Sequence, residues 1–222
     1  MDVTSHPPAR WPSDAACGVA LGVAAAVFAA LLAAVVAGGT LVELDHRVAA
    51  WFARHAEPPL TAAMLVVTNL NSTVAVGVYA ALIGLYEAWR RNWRRVALLV
   101  ACVGGGLALN DFVKHLVQRA RPVFDAPHLT LQTYSFPSGH AAGSMLLYGL
   151  LLVGWIRWIA KPGARTAAAI ALVALVGIVG LSRIYLGVHY LSDVLAGYAE
   201  GAAWLALCVM VANHVRPESV PA

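Results

Sequence analysis

The sequence predicts an all-α, integral-membrane bundle of six transmembrane helices, with a surface amphipathic helix before the second span. Three observations predict it. Apolar residues make up 60 % of the chain and charged residues only 12 %, with a mean hydropathy of +0.73. A soluble domain carries about 25 % charged residues, so too little polar surface exists here to cover a globule in water. Two long stretches, Ala15 to Val42 and Pro58 to Tyr86, contain no charged side chain, and a spanning helix needs roughly 20 mostly apolar residues. The basic residues fall in short clusters between apolar segments, as in loops held in the cytoplasm. At 222 residues, one domain over 1–222 is expected.

The first 14 residues, with Pro7, Pro8 and Pro12, read as a loose tail. Span one covers about Ala15 to Gly38. Its apolar run is too long for the core of a cleaved signal peptide, so it reads as an uncleaved first helix. Gly38, Gly39 and Thr40 break it. Residues 43–57 place Leu44, Val48, Trp51 and Phe52 at helical spacing, with Asp45, Arg47 and Arg54 elsewhere around the wheel. That pattern fits a helix at the membrane surface or an ordinary loop helix. From Leu60 to Trp89 the apolar run is too long for one span. Asn69, Asn71 and Ser72 divide it into a half-buried helix and a second span over Ser72–Trp89.

Span three covers about Arg95 to Gln118, after the basic run Arg90, Arg91, Arg94 and Arg95. A polar loop occupies Arg119–Pro137. Span four runs from about Ser138 to Ala160, span five from Arg165 to about Arg183, and span six from about His189 to His214. Six spans put both termini on one side, together with Arg90–Arg95 and with Arg157, Lys161 and Arg165. By the positive-inside rule that side is cytoplasmic, and the 119–137 loop and the turn after Arg183 face outward. The net charge of +4 therefore reads as topology, not nucleic-acid binding. Cys17, Cys102 and Cys208 lie in apolar segments without a C-x-x-C pair and read as small buried residues. Seven Trp suit membrane interfaces.

Three clusters at the outward ends carry chemistry. Lys114 and Arg121, followed by Pro122, are seven residues apart and share a face if the helix continues that far; charge at a span's edge marks function, or else snorkelling. Pro137-Ser138-Gly139-His140 opens an apolar helix. Ser138 suits an N-cap, Gly139 admits close backbone approach, and the helix start favours anions. A histidine there can protonate a leaving oxygen, or the segment is an ordinary capped start. Ser182-Arg183 precedes His189 and Asp193, which are four apart. A carboxylate so placed can hold one imidazole nitrogen and leave the other free to attack, although an incidental pair has the same spacing. Arg183 offers a fork suited to phosphate oxygens.

Lys114-x6-Arg121-Pro122, Pro137-Ser138-Gly139-His140 and Ser182-Arg183-x5-His189-x3-Asp193 together resemble the three-part signature of the type 2 phosphatidic acid phosphatase superfamily, which vanadium-dependent haloperoxidases share. The resemblance spans 114–193 in its motifs. It implies His189 as a nucleophile forming a phosphohistidine, Asp193 as its orienter and His140 as the proton donor to the leaving group. It implies Lys114, Arg121, Arg183, Ser138 and Gly139 as phosphate ligands, with no metal and no cofactor. The expected function is hydrolysis of a lipid phosphate or diphosphate, whether undecaprenyl diphosphate, phosphatidylglycerophosphate or phosphatidic acid. The expected place is a bacterial cytoplasmic (inner) membrane, with the site facing the periplasm or exterior. The expected partners are the lipid substrate and the bilayer, with no nucleic acid and no obligate protein. The alternatives are a phosphotransferase or haloperoxidase-like enzyme, and a non-catalytic lipid-phosphate transporter or receptor.

Outside the signature, Asp111 is expected to pair with Lys114 rather than to act in catalysis, and Arg119 to be a solvated loop cation rather than an aid to headgroup binding. His115 flanks the first motif and His128 belongs to the outer loop without a role. Tyr134 and Phe136 either wall the substrate's way in or are ordinary interfacial aromatics. Glu200, seven residues after Asp193, either lines a cavity or meets another helix.

Overall fold

A computed structural model of the protein describes residues 11–123, 133–154, 156 and 159–215. Among the described residues every regular element is helical. They are α1 (Asp14–Ala37), α2 (Thr40–Arg54), α3 (Pro58–Leu70), α4 (Thr73–Trp89), α5 (Trp93–Leu99), a π-helical turn (Val100–Gly104), α6 (Gly105–Val117), α7 (Gly139–Gly154), α8 (Pro162–Tyr185) and α9 (Leu191–His214). The segment α5, π turn and α6 runs on as one rod, Trp93–Val117.

Four helices are long and apolar enough to cross a membrane: α1, the Trp93–Val117 rod, α8 and α9. The pair α3 and α4, bent by 44°, qualifies as a fifth span when taken together, and α7 is a shorter apolar helix. The chain is thus a multi-pass membrane protein. Its exterior is correspondingly apolar. Val19, Val23 and Val36 of α1, Val74 and Leu82 of α4, and Ile170 and Val173 of α8 are all exposed, as they must be where lipid is the solvent.

The bundle centres on α9, which packs along α1 and α7. Close approach of α7 and α9 depends on small residues. A Cβ on Gly197 would lie 2.5 Å from the carbonyl oxygen of Ser138, and one on Gly201 would lie 3.0 Å from that of Ala142. Deeper in the bundle, Leu146, Leu147 and Leu150 of α7 pack with Val76, Val103 and Val209. Cys17, Cys102 and Cys208 are buried with free thiols.

Several boundaries depart from expectation. The stretch before α1 is not loose throughout: Trp11 packs against the core cluster, and Asn213 Nδ2 donates to the carbonyl of Pro12 at 3.0 Å. The helix carrying Lys114 stops at Val117, because Gln118 adopts a left-handed backbone with φ 53°. Lys114 and Arg121 therefore do not share a helical face. Span six begins at Leu191, so His189 lies in the turn ahead of the helix. The break at Asn71–Ser72 is present; the Ser72 side chain accepts from the backbone of Ala75 and caps α4. His128 and Arg157 lie outside the described residues.

Helix α2 is amphipathic in sequence, yet it is not a free surface helix. It packs on α8 and α9, and Asp45 on its polar side is completely buried. The basic run after α4 folds back on that helix's end: Glu87 accepts from Asn92 at 2.8 Å and pairs with Arg95 at 3.1 Å.

Candidate active site

Four helix ends meet at one end of the bundle: the end of α6, the start of α7, the end of α8 and the start of α9. The chain reversal after α8 brings two motif residues together. The backbone N–H groups of Val188 and His189 both donate to the carbonyl of Arg183, at 3.1 and 3.3 Å. A further backbone bond, from Ser138 N–H to the carbonyl of Asp193 at 2.9 Å, joins the second motif to the third.

His189 is buried, and its two ring nitrogens face different groups. Nε2 lies 3.1 Å from Nη1 of Arg121. Nδ1 lies 3.5 Å from Oδ2 of Asp193 and 3.5 Å from Oγ of Ser135. A guanidinium only donates, so Nε2 must present its lone pair and the ring proton sits on Nδ1, toward the carboxylate. Burial pulls the imidazole pKa down to about 3. Asp193 opposes that shift, while Arg121 and Arg183 add to it. At neutral pH the ring is therefore uncharged, with a lone pair aimed at the cations.

Asp193 is fully buried and saturated with donors. Its Oδ2 accepts from Ser135 Oγ at 2.5 Å and from the backbone N–H of Tyr190 at 2.8 Å. Its Oδ1 accepts from Nη1 of Arg119 at 2.6 Å. The bond from Tyr190 N–H also caps α9, so the same carboxylate starts the helix and faces the imidazole.

The cations converge although they belong to different segments. Lys114 Nζ donates to the carbonyls of Tyr134 at 3.1 Å and Pro137 at 2.5 Å. Arg121 is held by the carbonyls of Thr133 at 2.7 Å and Val188 at 2.6 Å. Burial draws its guanidinium down from the usual value, with Asp193 opposing. Arg183 is buried in α8 and donates through Nη1 to Thr68 Oγ1 of α3. His140 stands in the first turn of α7, two residues after Ser138, whose backbone N–H joins that helix start to Asp193.

Among the described residues, three buried side-chain polar atoms lack a hydrogen-bond partner: Ser138 Oγ, Arg183 Nε and Glu200 Oε1. Two are donors in this cluster. Leaving buried donors unpaired costs about 1–3 kcal/mol each, and both suit an anion. Ser138 thus does not cap α7 through its side chain, contrary to expectation; its hydroxyl is left for another acceptor. At Gly139 a Cβ would stand 3.1 Å from Asn110 Oδ1 and 3.3 Å from the Thr73 methyl, so only glycine fits without displacing them.

Outside the signature the geometry differs from the sequence reading. Asp111 is exposed and faces His115, at 3.4 Å, not Lys114. Phe136 is buried against Phe28 of α1, at 5.9 Å between centroids, and presents no exposed surface. Tyr134 contributes its carbonyl to Lys114 and Arg121. Glu200 does both things expected of it. Its Oε2 accepts from Asn110 of α6 at 2.6 Å, and it lines an apolar cavity of about 210 Å³ with Leu21, Phe28, Val113 and Trp204. Arg119 is the largest departure. It is not solvated: its Nη1 reaches Asp193 and Ser192 Oγ, the latter at 2.8 Å, and its Nη2 reaches Asp45 at 2.8 Å. Its guanidinium sits 4.3 Å from the ring centroid of Tyr190. Burial works against its charge, but Asp193 and Asp45 outweigh burial and raise its pKa. Ser135, Thr68, Asp45 and Arg119 escape sequence reasoning because each acts through a partner more than fifty residues away.

Comparison with known proteins identifies the family. The family model described as the PAP2 superfamily matches residues 95–216. Phosphatidylglycerophosphatase B of Bacillus subtilis is 29 % identical over 149 residues, 65 % of this chain and 71 % of that protein. Decaprenylphosphoryl-5-phosphoribose phosphatase of Mycobacterium tuberculosis is 38 % identical over 118 residues, 51 % of this chain and 57 % of that protein. The crystal structure of a transmembrane PAP2-type phosphatidylglycerolphosphate phosphatase from Bacillus subtilis superposes with a TM-score of 0.80 at 24 % identity. It covers 89 % of this chain and 98 % of that one, a likeness of fold.

Proposed function

Since the chain belongs to the PAP2 superfamily and is a phosphoric monoester hydrolase, we propose that it removes phosphate from a membrane lipid through a covalent phosphohistidine. The observation that carries this reading is His189, whose Nε2 lone pair faces Arg121 while its Nδ1 faces Asp193. A neutral imidazole aimed into a cluster of cations is arranged to attack phosphorus, not to bind an anion as imidazolium.

The phosphoryl group sits among Arg121, Arg183, Lys114, Ser138 and the backbone at Gly139. Phosphoryl transfer asks the protein chiefly for positioning and charge stabilisation, and the unpaired Arg183 Nε and Ser138 Oγ offer both. His189 Nε2 forms a bond to phosphorus as the bond to the lipid oxygen breaks, and His140 gives that oxygen a proton. Asp193 stabilises the charge that the imidazole acquires. Water then attacks the phosphohistidine, with His140 taking its proton, and inorganic phosphate and neutral His189 are restored. The cations supply the charge that a metal would otherwise bring, so the reaction proceeds without one.

The substrate is a lipid phosphomonoester or diphosphate, its tail remaining in the bilayer. The names of the two curated relatives, for phosphatidylglycerophosphate and for decaprenylphosphoryl-5-phosphoribose, support a lipid-borne phosphomonoester, on a glycerol headgroup or on a polyprenyl-linked sugar, ahead of a diphosphate. Six spans cross a bacterial inner membrane, and the site opens on the periplasmic side.

The test is phosphate release by the purified protein in detergent, with EDTA, from phosphatidic acid, phosphatidylglycerophosphate and undecaprenyl diphosphate. Release from at least one is expected, with His189→Ala lowering kcat by about 10³-fold or more. Full activity in His189→Ala, or an absolute need for added Mg²⁺, overturns the mechanism.

A further inference from the structure

Arg119 and Asp45 fall outside every signature position, yet they hold the residue that orients the nucleophile. Asp45, on α2, is completely buried. It accepts from Ser192 N–H at 2.9 Å, from Ser192 Oγ and from Arg119 Nη2 at 2.8 Å. Arg119 reaches the other way, to Oδ1 of Asp193 at 2.6 Å, with its guanidinium 4.3 Å from the Tyr190 ring centroid. One guanidinium thus bridges two buried carboxylates. Its Nη1 and Nη2 are fixed in one plane, so placing Asp45 also places Oδ1 of Asp193. The remaining oxygen, Oδ2, is then turned toward Nδ1 of His189.

Charge makes the second half of the argument. Alone beside Asp193, Arg119 would cancel the carboxylate's charge and leave little to stabilise an imidazolium. Asp45 shares that cation, and the trio carries one net negative charge. Neither residue approaches the phosphate ligands in any contact described, and Arg119 spends its donors on Asp45, Asp193 and Ser192.

We infer that Arg119 and Asp45 are positioning residues that fix Asp193 and preserve its charge for His189, making helix α2 part of the catalytic support. The inference rests on the reading of His189 as nucleophile.

The test uses the full chain in detergent with whichever lipid phosphate it hydrolyses. Arg119→Gln removes a charge-assisted bond to Asp193, so kcat should fall about 10- to 100-fold while KM stays within twofold. Asp45→Asn keeps the shape and removes the charge, and should lower kcat with KM likewise unchanged. Arg119→Lys, which keeps a cation but cannot bridge both carboxylates, should recover part of the loss and serves if the glutamine variant does not fold. In an Asp193→Asn background, Arg119→Gln should cost less than twofold more. A raised KM at unchanged kcat would make Arg119 a substrate-binding cation and overturn the inference, as would a full additional loss in the Asp193→Asn background. If His189→Ala is inactive but the Arg119 and Asp45 variants are normal, this inference alone falls. If His189→Ala is active, both fall.

Discussion

Burying an imidazole beside two guanidinium groups leaves a thermodynamic trace. His189 has its pKa drawn down to about 3 by burial, with Arg121 and Arg183 assisting and Asp193 opposing. In the unfolded chain the same group titrates near its ordinary value of about 6.5. Between those values the unfolded state holds a proton that the folded state lacks, so stability falls as pH falls. Above about 6.5 the group contributes no slope. On this basis the protein in detergent should lose about 2 kcal/mol more than His189→Gln between pH 7 and pH 5. Paired thermal melts at the two pH values measure the difference, and parallel melts for protein and variant would show that the ring is not held neutral. The spacing of His189 and Asp193 is legible in the sequence because four residues is a local relation. The burial that sets the pKa is not, and neither is the Asp45–Arg119 bridge. Those two residues stand 74 positions apart, and an amphipathic pattern around Asp45 does not reveal that its polar face meets α9 instead of water.

At the level of elements, α7 and α9 hold the two halves of the site together through glycine contacts. Gly197 faces backbone: its added Cβ would meet the Ser138 carbonyl at 2.5 Å and the Ala142 nitrogen at 3.2 Å. Backbone cannot rotate away as a side chain can, so α7 itself must shift, and with it Ser138 and His140. Gly197→Ala should destabilise the protein by about 1–3 kcal/mol and lower kcat at the same time. Gly77, in α4, has nothing within 4 Å of its added Cβ. Gly77→Ala should be neutral or slightly stabilising, by up to about 1 kcal/mol, with activity intact. Equal effects from the two variants would show that close packing of α7 on α9 does not position the site. Most helices are readable from uncharged length, and the α3–α4 break from Asn69, Asn71 and Ser72. The end of α6 is not: Gln118, at φ 53°, takes a left-handed turn that no glycine in the sequence announces. Heptad-like spacing of Lys114 and Arg121 suggests one face, whereas the two meet beyond the helix end at a shared acceptor, the Tyr134 carbonyl.

Across the whole molecule, charge and chemistry separate along the helix axes. The rod Trp93–Val117 begins beside Arg94 and Arg95 and ends with Lys114; α8 begins after Lys161, with Arg165 in its first turn, and ends with Arg183. Arg94 Nη2 also donates to the carbonyl of Val215, at 3.1 Å, just beyond α9, so the basic run shares its end with the end of α9, and the site lies at the start of that helix. A helix of 24 residues, the length of α8 and of α9, rises about 36 Å, enough to place its two ends in opposite interfaces. In the proposed orientation, which follows the positive-inside rule, the basic ends face the cytoplasm and the histidines the far side. Single cysteines can read this orientation in a background where Cys17, Cys102 and Cys208 are replaced by alanine. Ala120 lies just beyond Arg119, is exposed, and touches neither the nucleophile nor its supports in any bond described; Gly163 is exposed at the opposite end, in the first turn of α8. In intact spheroplasts Ala120→Cys should react with a membrane-impermeant maleimide, and Gly163→Cys should react only after the membrane is opened. The reverse pattern would place the site in the cytoplasm and require substrate to be drawn from the inner leaflet. Labelling of both in sealed cells would mean that the rods do not cross the bilayer as their length and apolar faces demand.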